Sequence, residues 1–275
     1  MRLNRPPQPA LRPFVKAVWL ADETSERRRV AVDREHVLPT GEMHLVFRLS
    51  DHPVRVFSDS RDAAGKTFGG AVVGGARARF YAKDVTEAAC SVGAQLQPGA
   101  AHLLFGAPAG ELAGSHFRLD DLWGRSAISA RERLLEERNP ERRLDVLESL
   151  LAVRLPKVRG LHPAVAMALE RFSETVDVGE VVAESGYSHR RFIALFREAL
   201  GLPPKLYCRV QRFQRALARI AADKADPWVD LAIASGYSDQ SHLSREFLEF
   251  AGVTPGEYRE SSPRHPNHVA VRKSI

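Results

Sequence analysis

The residues best placed to do chemistry lie in two stretches that repeat one another. Residues 181–207 and 231–258 each carry Ser-Gly-Tyr-Ser, at Ser185–Ser188 and Ser235–Ser238. Each continues with Phe196 or Phe247, then Gly201 or Gly252, Pro204 or Pro255, and Tyr207 or Tyr258. The second copy is one residue longer after its Ser-Gly-Tyr-Ser. Beyond the serines stand polar side chains: His189, Arg190 and Arg197 in the first copy, Gln240, Ser241, Ser244 and Arg245 in the second. Gln pairs a donor with an acceptor and so matches an adenine edge, while the two parallel donors of Arg match guanine. These groups suit the reading of bases in a major groove rather than the making of bonds. A solvated face on a helical bundle is the plain alternative. Two ordered copies fit it poorly.

The elements that must position these side chains follow from the spacing. In the first copy Val181, Val182 and Ala183 form a short apolar helix, Gly186 opens the turn, and the Ser188 oxygen caps the next helix. Phe192, Leu195, Phe196 and Ala199 fall at i, i+3, i+4 and i+7, a buried stripe that leaves His189, Arg190, Ile193, Ala194 and Arg197 outward. In the second copy Asp239 or Ser238 caps, Leu243, Phe247 and Phe250 face in, and Gln240, Ser241, Ser244 and Arg245 face out. Gly201 and Gly252 stop the two helices. Between the copies, Pro204–Ala222 carries Leu206, Val210, Phe213, Leu217 and Ile220 on one side of a long helix. Its length, about 27–30 Å, is near the roughly 34 Å repeat of successive major-groove openings.

Charge supports the same reading. The chain of 275 residues has a net charge of +6. From Arg190 to Arg219 eight cations (Arg190, Arg191, Arg197, Lys205, Arg209, Arg212, Arg215, Arg219) face one anion, Glu198, and acidic segments flank the block. Arg212 is read as a contact to DNA phosphates, the alternative being a buried structural residue. Residues 161–260 as a whole are not net basic, so affinity for a polyanion must come from this stripe.

The remainder sets the domain plan. Residues 1–125 read as β-rich, with short runs at Val15–Leu20, Met43–Leu49, Val54–Phe57, Arg77–Lys83 and Cys90–Leu96 between turns such as Pro39-Thr40-Gly41. Within Met43–Leu49, Met43, Leu45, Phe47 and Leu49 share one face, while His44, Val46 and Arg48 share the other. Residues 126–160 read as a helical connector and linker. Its leucines (Leu134, Leu135, Leu144, Leu147, Leu150, Leu151, Leu155) fit either a dimer seam or burial in the first domain, and Pro156–Gly160 is the linker. Residues 161–260 form the helical DNA-binding domain with its two helix-turn-helix units, and 261–275 a loose, flexible tail. The fold class is therefore α+β: a β-rich barrel or sandwich with connector helices, then an all-α domain of two helix-turn-helix units joined by a long helix.

In Leu231–Arg259, and in the first copy with Leu206–Phe213 and Ala216, the chain resembles the AraC family of bacterial transcription regulators. The resemblance implies a cytoplasmic, nucleoid-associated activator or repressor that binds a double-stranded DNA operator. It implies that His189, Arg190, Gln240, Ser241, Ser244 and Arg245 fall where relatives touch bases or backbone, and it brings RNA polymerase, an unknown small-molecule effector and a homodimer into view as partners. Ile193 and Ala194 stand where family members often carry polar or basic residues, which shifts first-copy reading toward His189, Arg190 and Arg197 or toward a thymine methyl. The first domain is similar, through His36–Gly41, Leu45–Phe47, Gly93–Gly99, Glu111-Leu112 and Leu119–Gly124, to a sensor-like domain found ahead of this module in relatives. That likeness implies a cupin-like fold with a regulatory role.

Other classes fare worse. A cupin-like small-molecule or metal-binding protein, with DNA binding secondary, would use His36, His44, His102 and His116 with Glu42, yet no His-x-His pair is present. No phosphate loop, Gly-x-Ser-x-Gly or paired-carboxylate motif argues for an enzyme, and no cofactor is expected. Cys90 and Cys208 are isolated, which fits a reducing compartment. The proline-broken start, MRLNRPPQPALRPF, is read as no secretory signal, and no apolar run is long enough for a membrane.

Overall fold

The computed structural model describes residues 1–24, 33–59, 61–155, 161–174, 177–222 and 226–271. Its first part is a sandwich of two antiparallel sheets. The larger has the order β1-β2-β9-β4-β7-β10, formed by Arg2–Arg5, Val15–Asp22, Cys90–Leu96, His44–Arg48, Ala71–Gly74 and His116–Arg118. The smaller has the order β11-β3-β8-β5-β6, formed by His268–Val271, Arg34–Val37, Tyr81–Asp84, Val54–Phe57 and Lys66–Phe68. Strand β4 shows why two layers form. Leu45 and Phe47 are fully buried on one face, and His44 and Val46 on the other look across to the second sheet. Between the sheets Val46 and Val72 pack against Val54, Val56, Phe68 and Tyr81.

The opposite face of the larger sheet is covered by helices: α1 (Ala100–Phe105), α2 (Ala109–Leu112), α3 (Leu119–Trp123), α4 (Arg125–Glu136) and α5 (Pro140–Ala152). Phe47 meets Trp123 at 6.3 Å between ring centres, and the Trp123 indole N–H donates to the Leu104 carbonyl at 2.7 Å. Leu134, Leu144, Leu147 and Leu151 are wholly buried in this same core. Burial within the first domain, the second of the two readings, holds for these four and in part for Leu150 and Leu155, while Leu135 is exposed on α4. The linker Pro156–Gly160 lies outside the described residues.

The second part is helical: α6 (Pro163–Glu174), α7 (Val178–Glu184), α8 (His189–Leu200), α9 (Pro204–Ala222), α10 (Trp228–Ala234), α11 (Gln240–Ala251) and α12 (Pro255–Ser261). Among the described residues no helix is long and apolar enough to cross a membrane. Cys90 and Cys208 are buried free thiols.

Two expectations are corrected. Residues 261–275 are not a loose tail throughout: after α12 the chain returns to the first domain, and β11 pairs with β3 from His268↔Val37 to Val271↔Arg34. An open strand edge leaves backbone donors and acceptors without partners, and His-Val-Ala-Val satisfies them while burying Val269. Tyr258 donates its hydroxyl to Pro266 O at 2.8 Å and Leu38 N–H donates to Asn267 O at 2.9 Å, which fixes the return path. Arg77–Lys83 is not one strand either. Only its end belongs to β8, because the Phe80 amide is drawn out of the sheet to donate to Phe250 O in α11 at 2.9 Å.

The two parts are joined through the C-terminal ends of α8 and α11. The Gly99 N–H donates to Ala199 O at 3.0 Å, and the His36 ring stacks on Phe80 while its Nδ1 lies 3.0 Å from Ala251 O. A carbonyl only accepts, so His36 carries its proton on Nδ1. On α9, Gln211 and Gln214 donate to the carbonyls of Thr40 and Pro39 at 3.2 and 2.7 Å. Gly252 has φ of 69° and sits against the Phe80 ring, where a β-carbon would overlap it. Gly252→Ala combines left-handed strain with that overlap and is expected to cost about 1–3 kcal/mol, measured as a lower midpoint in urea unfolding. An unchanged midpoint would show that the joint yields freely.

Candidate nucleic-acid interface

Each repeat folds as a helix, a glycine turn and a second helix. In the first, Asp177 caps α7 by accepting from Gly179 and Glu180 amides, Gly186 turns the chain at φ 71°, and Ser188 accepts from the Arg191 amide to start α8. In the second, Gly236 turns at φ 89° and Asp239, not Ser238, caps α11 through the His242 amide. Gly201 and Gly252 close the two recognition helices in the left-handed region. Phe196 packs on Tyr207 at 5.6 Å and Phe247 on Tyr258 at 5.5 Å, so the repeat in sequence is a repeat in packing.

The N-terminal halves of both recognition helices are open. His189, Arg190 and Arg191 are exposed on α8, Ile193 is half-buried and Ala194 exposed. On α11 Gln240, Ser241 and Arg245 are exposed and Ser244 is half-buried, with the Arg245 Nε donating to Ser241 O at 3.3 Å. Arg197 is exposed but sits toward the far end of α8, its backbone beside Gly110 of α2. It is thus brought next to the first domain rather than to the reading end.

Arg212 has a different place from the one its sequence suggests. The carboxylate of Glu246 on α11, only 3% exposed, accepts from Arg212 at 2.8 and 3.2 Å and from Arg209 at 2.8 Å. Arg209 also reaches Glu249 at 2.6 Å, and Arg212 lies over the Tyr237 ring at 4.7 Å. Arg219 is paired with Asp226 at 3.0 Å. Three cations of the stripe therefore face carboxylates from segments 7 to 40 residues away, and Arg212 serves as a strut between α9 and α11. Burial works to raise the Glu246 pKa, and the hydrogen bonds from Arg212 and Arg209 outweigh it and hold the carboxyl below its ordinary value.

Of the basic block and α11, the cations left without a carboxylate among the described residues are Arg190, Arg191, Arg197, Lys205, Arg215 and Arg245. Lys205 and Arg245 border an open groove of about 400 Å³ between α9 and α11, and Arg215 lies beside the Gly236 turn. Lys205 and Arg215 are therefore uncommitted cations beside the open side of α9 and α11. Their sequence signal was membership of the basic block, and only the fold separates them from the paired arginines.

The histidines weighed as metal ligands are dispersed. His36 is in the joint between domains, His102 is exposed on α1, and Glu42 is engaged by Lys16 at 2.6 Å and by Gln95. His44 and His116 alone of that set meet, with ring centres 5.9 Å apart. Among the described residues no three His, Cys, Asp or Glu side chains gather as a metal site requires.

Residues 181–261, which hold both helix-turn-helix units, match the family model of a helix-turn-helix domain, and residues 4–118 match a domain of unknown function. The C-terminal domain is an AraC-type helix-turn-helix domain. Relatives of this chain include the arabinose operon regulatory protein of Escherichia coli, 28% identical over 48% of this chain and 48% of its own. The F1 operon positive regulatory protein of Yersinia pestis is 31% identical over 32% of this chain and 29% of its own. The chain thus spans under half the length of these curated relatives. A solved structure of apo ToxT, in variant form, from Vibrio cholerae is similar at TM-score 0.49 and 12% identity, over 93% of this chain and 99% of that one.

Replacing Glu246 by Gln leaves two cations against a neutral amide. The expected loss is about 3–5 kcal/mol, read from chemical unfolding. A folded pKa held low means the stabilisation is complete above the ordinary carboxylate range and disappears as pH falls through the folded value. The gap between wild type and Glu246→Gln should therefore narrow on acidification. A gap independent of pH would refute the ion-pair account.

Proposed function

We propose that this chain is a sequence-specific DNA-binding transcription regulator whose two recognition helices read one face of a duplex. The observation that carries the reading is a pair of capped helices with open, polar N-terminal halves, joined by the 19-residue rod α9. At 1.5 Å per residue the rod is about 28 Å long, comparable with one turn of DNA. Base reading falls to His189 and Arg190 on α8 and to Gln240, Ser241, Ser244 and Arg245 on α11. Lys205 and Arg215 supply phosphate contacts in place of Arg212, whose guanidinium is committed to Glu246. The names of the relatives, two of them operon regulators, support regulation as the outcome of binding. Leu134, Leu144, Leu147 and Leu151 are used inside the first domain, and Leu135 stays exposed on α4.

Selection of genomic fragments by the purified chain should recover a preferred site. Scrambled DNA of equal length that bound as well would end the proposal. Arg245→Ala should cost about 1–3 kcal/mol at one base position and relax the preference there. Lys205→Ala or Arg215→Ala should weaken all sequences alike and lower the slope of log affinity against log salt by about one. Arg212→Ala should instead show its main effect in thermal unfolding, with α11 loosened. A variant that melted like wild type but lost one unit of salt slope would return Arg212 to the phosphate contacts.

A further inference from the structure

The strand that completes the smaller sheet carries one histidine and is preceded by another. His268 of β11 lies across from Val37, and its Nδ1 is 3.0 Å from Glu35 Oε2. The Lys83 ammonium of β8 holds the same oxygen at 2.7 Å. A carboxylate only accepts, so His268 carries its proton on Nδ1, and Nε2 is the place for a second. His265 stands just before β11. The His268 amide donates to His265 O at 2.9 Å, and the two rings are 6.2 Å apart. The other charges felt at this pair are those of Arg2 on β1 and Glu23 after β2. Burial first, and then the Lys83 charge, press the His268 pKa below its ordinary 6.5 against the pull of Glu35. Burial and then the Arg2 charge do the same to His265. Both rings are thus neutral while the strand is docked near neutral pH.

The neighbouring groups do not titrate with them. Burial works against the Glu35 charge, yet the His268 hydrogen bond and Lys83 outweigh it and hold the carboxyl low, so it stays ionised where histidines titrate. His44 of β4 and His116 of β10 are held by burial, and after it by the Arg77 charge, at about 3 and about 2. Arg77 also donates to His116 Nδ1 at 3.2 Å. His36 points to the other face of β3 from Glu35, where it stacks on Phe80.

The strand also ties parts of the chain together. Asn267 Oδ1 accepts from Gln214 of α9 at 2.8 Å, and Pro266 O accepts from Tyr258 of α12 at 2.8 Å. Val269 is buried in the core that the β-domain shares with the second reading unit. Four residues of β11 pair with β3, a ladder short enough to part without the rest of the sheet. Release returns two imidazoles to water, so the freed strand takes up protons more readily than the docked one. The docked form is therefore favoured in full above about pH 6.5 and loses that advantage as pH falls through the folded values.

We propose that β11 is an acid-released latch: with His265 and His268 protonated the strand leaves β3, and the bonds that tie Gln214 of α9 and Tyr258 of α12 to its approach part with it. Hydrogen exchange of the full chain, corrected for the intrinsic effect of pH, reads this opening from the amides that join β11 to β3. Lowering the pH from 7.5 to 5.5 should raise the opening constant by up to about tenfold for each histidine, while amides between β4 and β9 keep their protection. An opening constant equal at the two pH values overturns the latch, and so does a loss of protection spread evenly over both sheets. Replacing both residues, His265→Gln with His268→Gln, removes the two titrations and leaves at position 268 an amide able to donate to Glu35. The pH response of β11 should then flatten, and a response kept in full, with His36 as the remaining histidine on β3, overturns the assignment. Should the double variant fail to melt cooperatively at pH 7.5, the ring-proton shifts of the wild-type chain decide. Folded pKa values below 6.5 for both histidines uphold the latch, and a value at or above 6.5 for either overturns it. None of these readouts needs DNA, so a failure to select an operator would remove the regulator reading and leave the latch standing.

Discussion

The buried carboxylate of Glu246 is the constraint on which the second reading unit depends. A charge with 3% exposure is tolerable only when its lone pairs are filled, and Arg209 and Arg212 fill them from the neighbouring helix. The arrangement fixes α11 against α9 in rotation as well as distance, because planar guanidinium groups accept few geometries. It also explains the apparent excess of positive charge along α9. Part of that charge is internal, and what is left for DNA lies on its margins.

The two reading units are not held alike. The first has its own apolar core, built from Val165, Ala168, Phe172, Val181, Val182, Phe192, Phe196 and neighbours. The core of the second runs without a break into that of the β-domain. The unit around α11 thus shares the core of the first domain, and the unit around α8 rests on that domain through α2 and the Gly201 contact.

Much of the helical domain was legible in the residues. Gly186, Gly201, Gly252, Ser188 and Asp239 announce turns, stops and caps because each solves a local problem of backbone angle or unpaired amide. The alternation in β4 and the bounds of β5 and β9 were equally local. What stayed hidden depended on partners far along the chain. Arg212 looks like a phosphate contact until Glu246 is folded beside it, and Arg77–Phe80 looks like a strand until Phe250 takes its amide. The helices between Ala100 and Trp123 are short and were missed for want of a full period. His44 and His116 were noticed as separate residues, and only the sandwich brings them to Arg77.

The pairing of β11 with β3 bears on how the molecule comes into being. The His268–Glu35 contact spans 233 positions, so during synthesis the smaller sheet waits with one rim bare while the whole helical domain is made. Such a wait is a slow, long-range closure, and a bare strand invites a neighbouring nascent chain to pair with it. Strand β11 thus acts as a seal, and the β-domain reaches its finished form only after the helical domain that precedes β11 has been made.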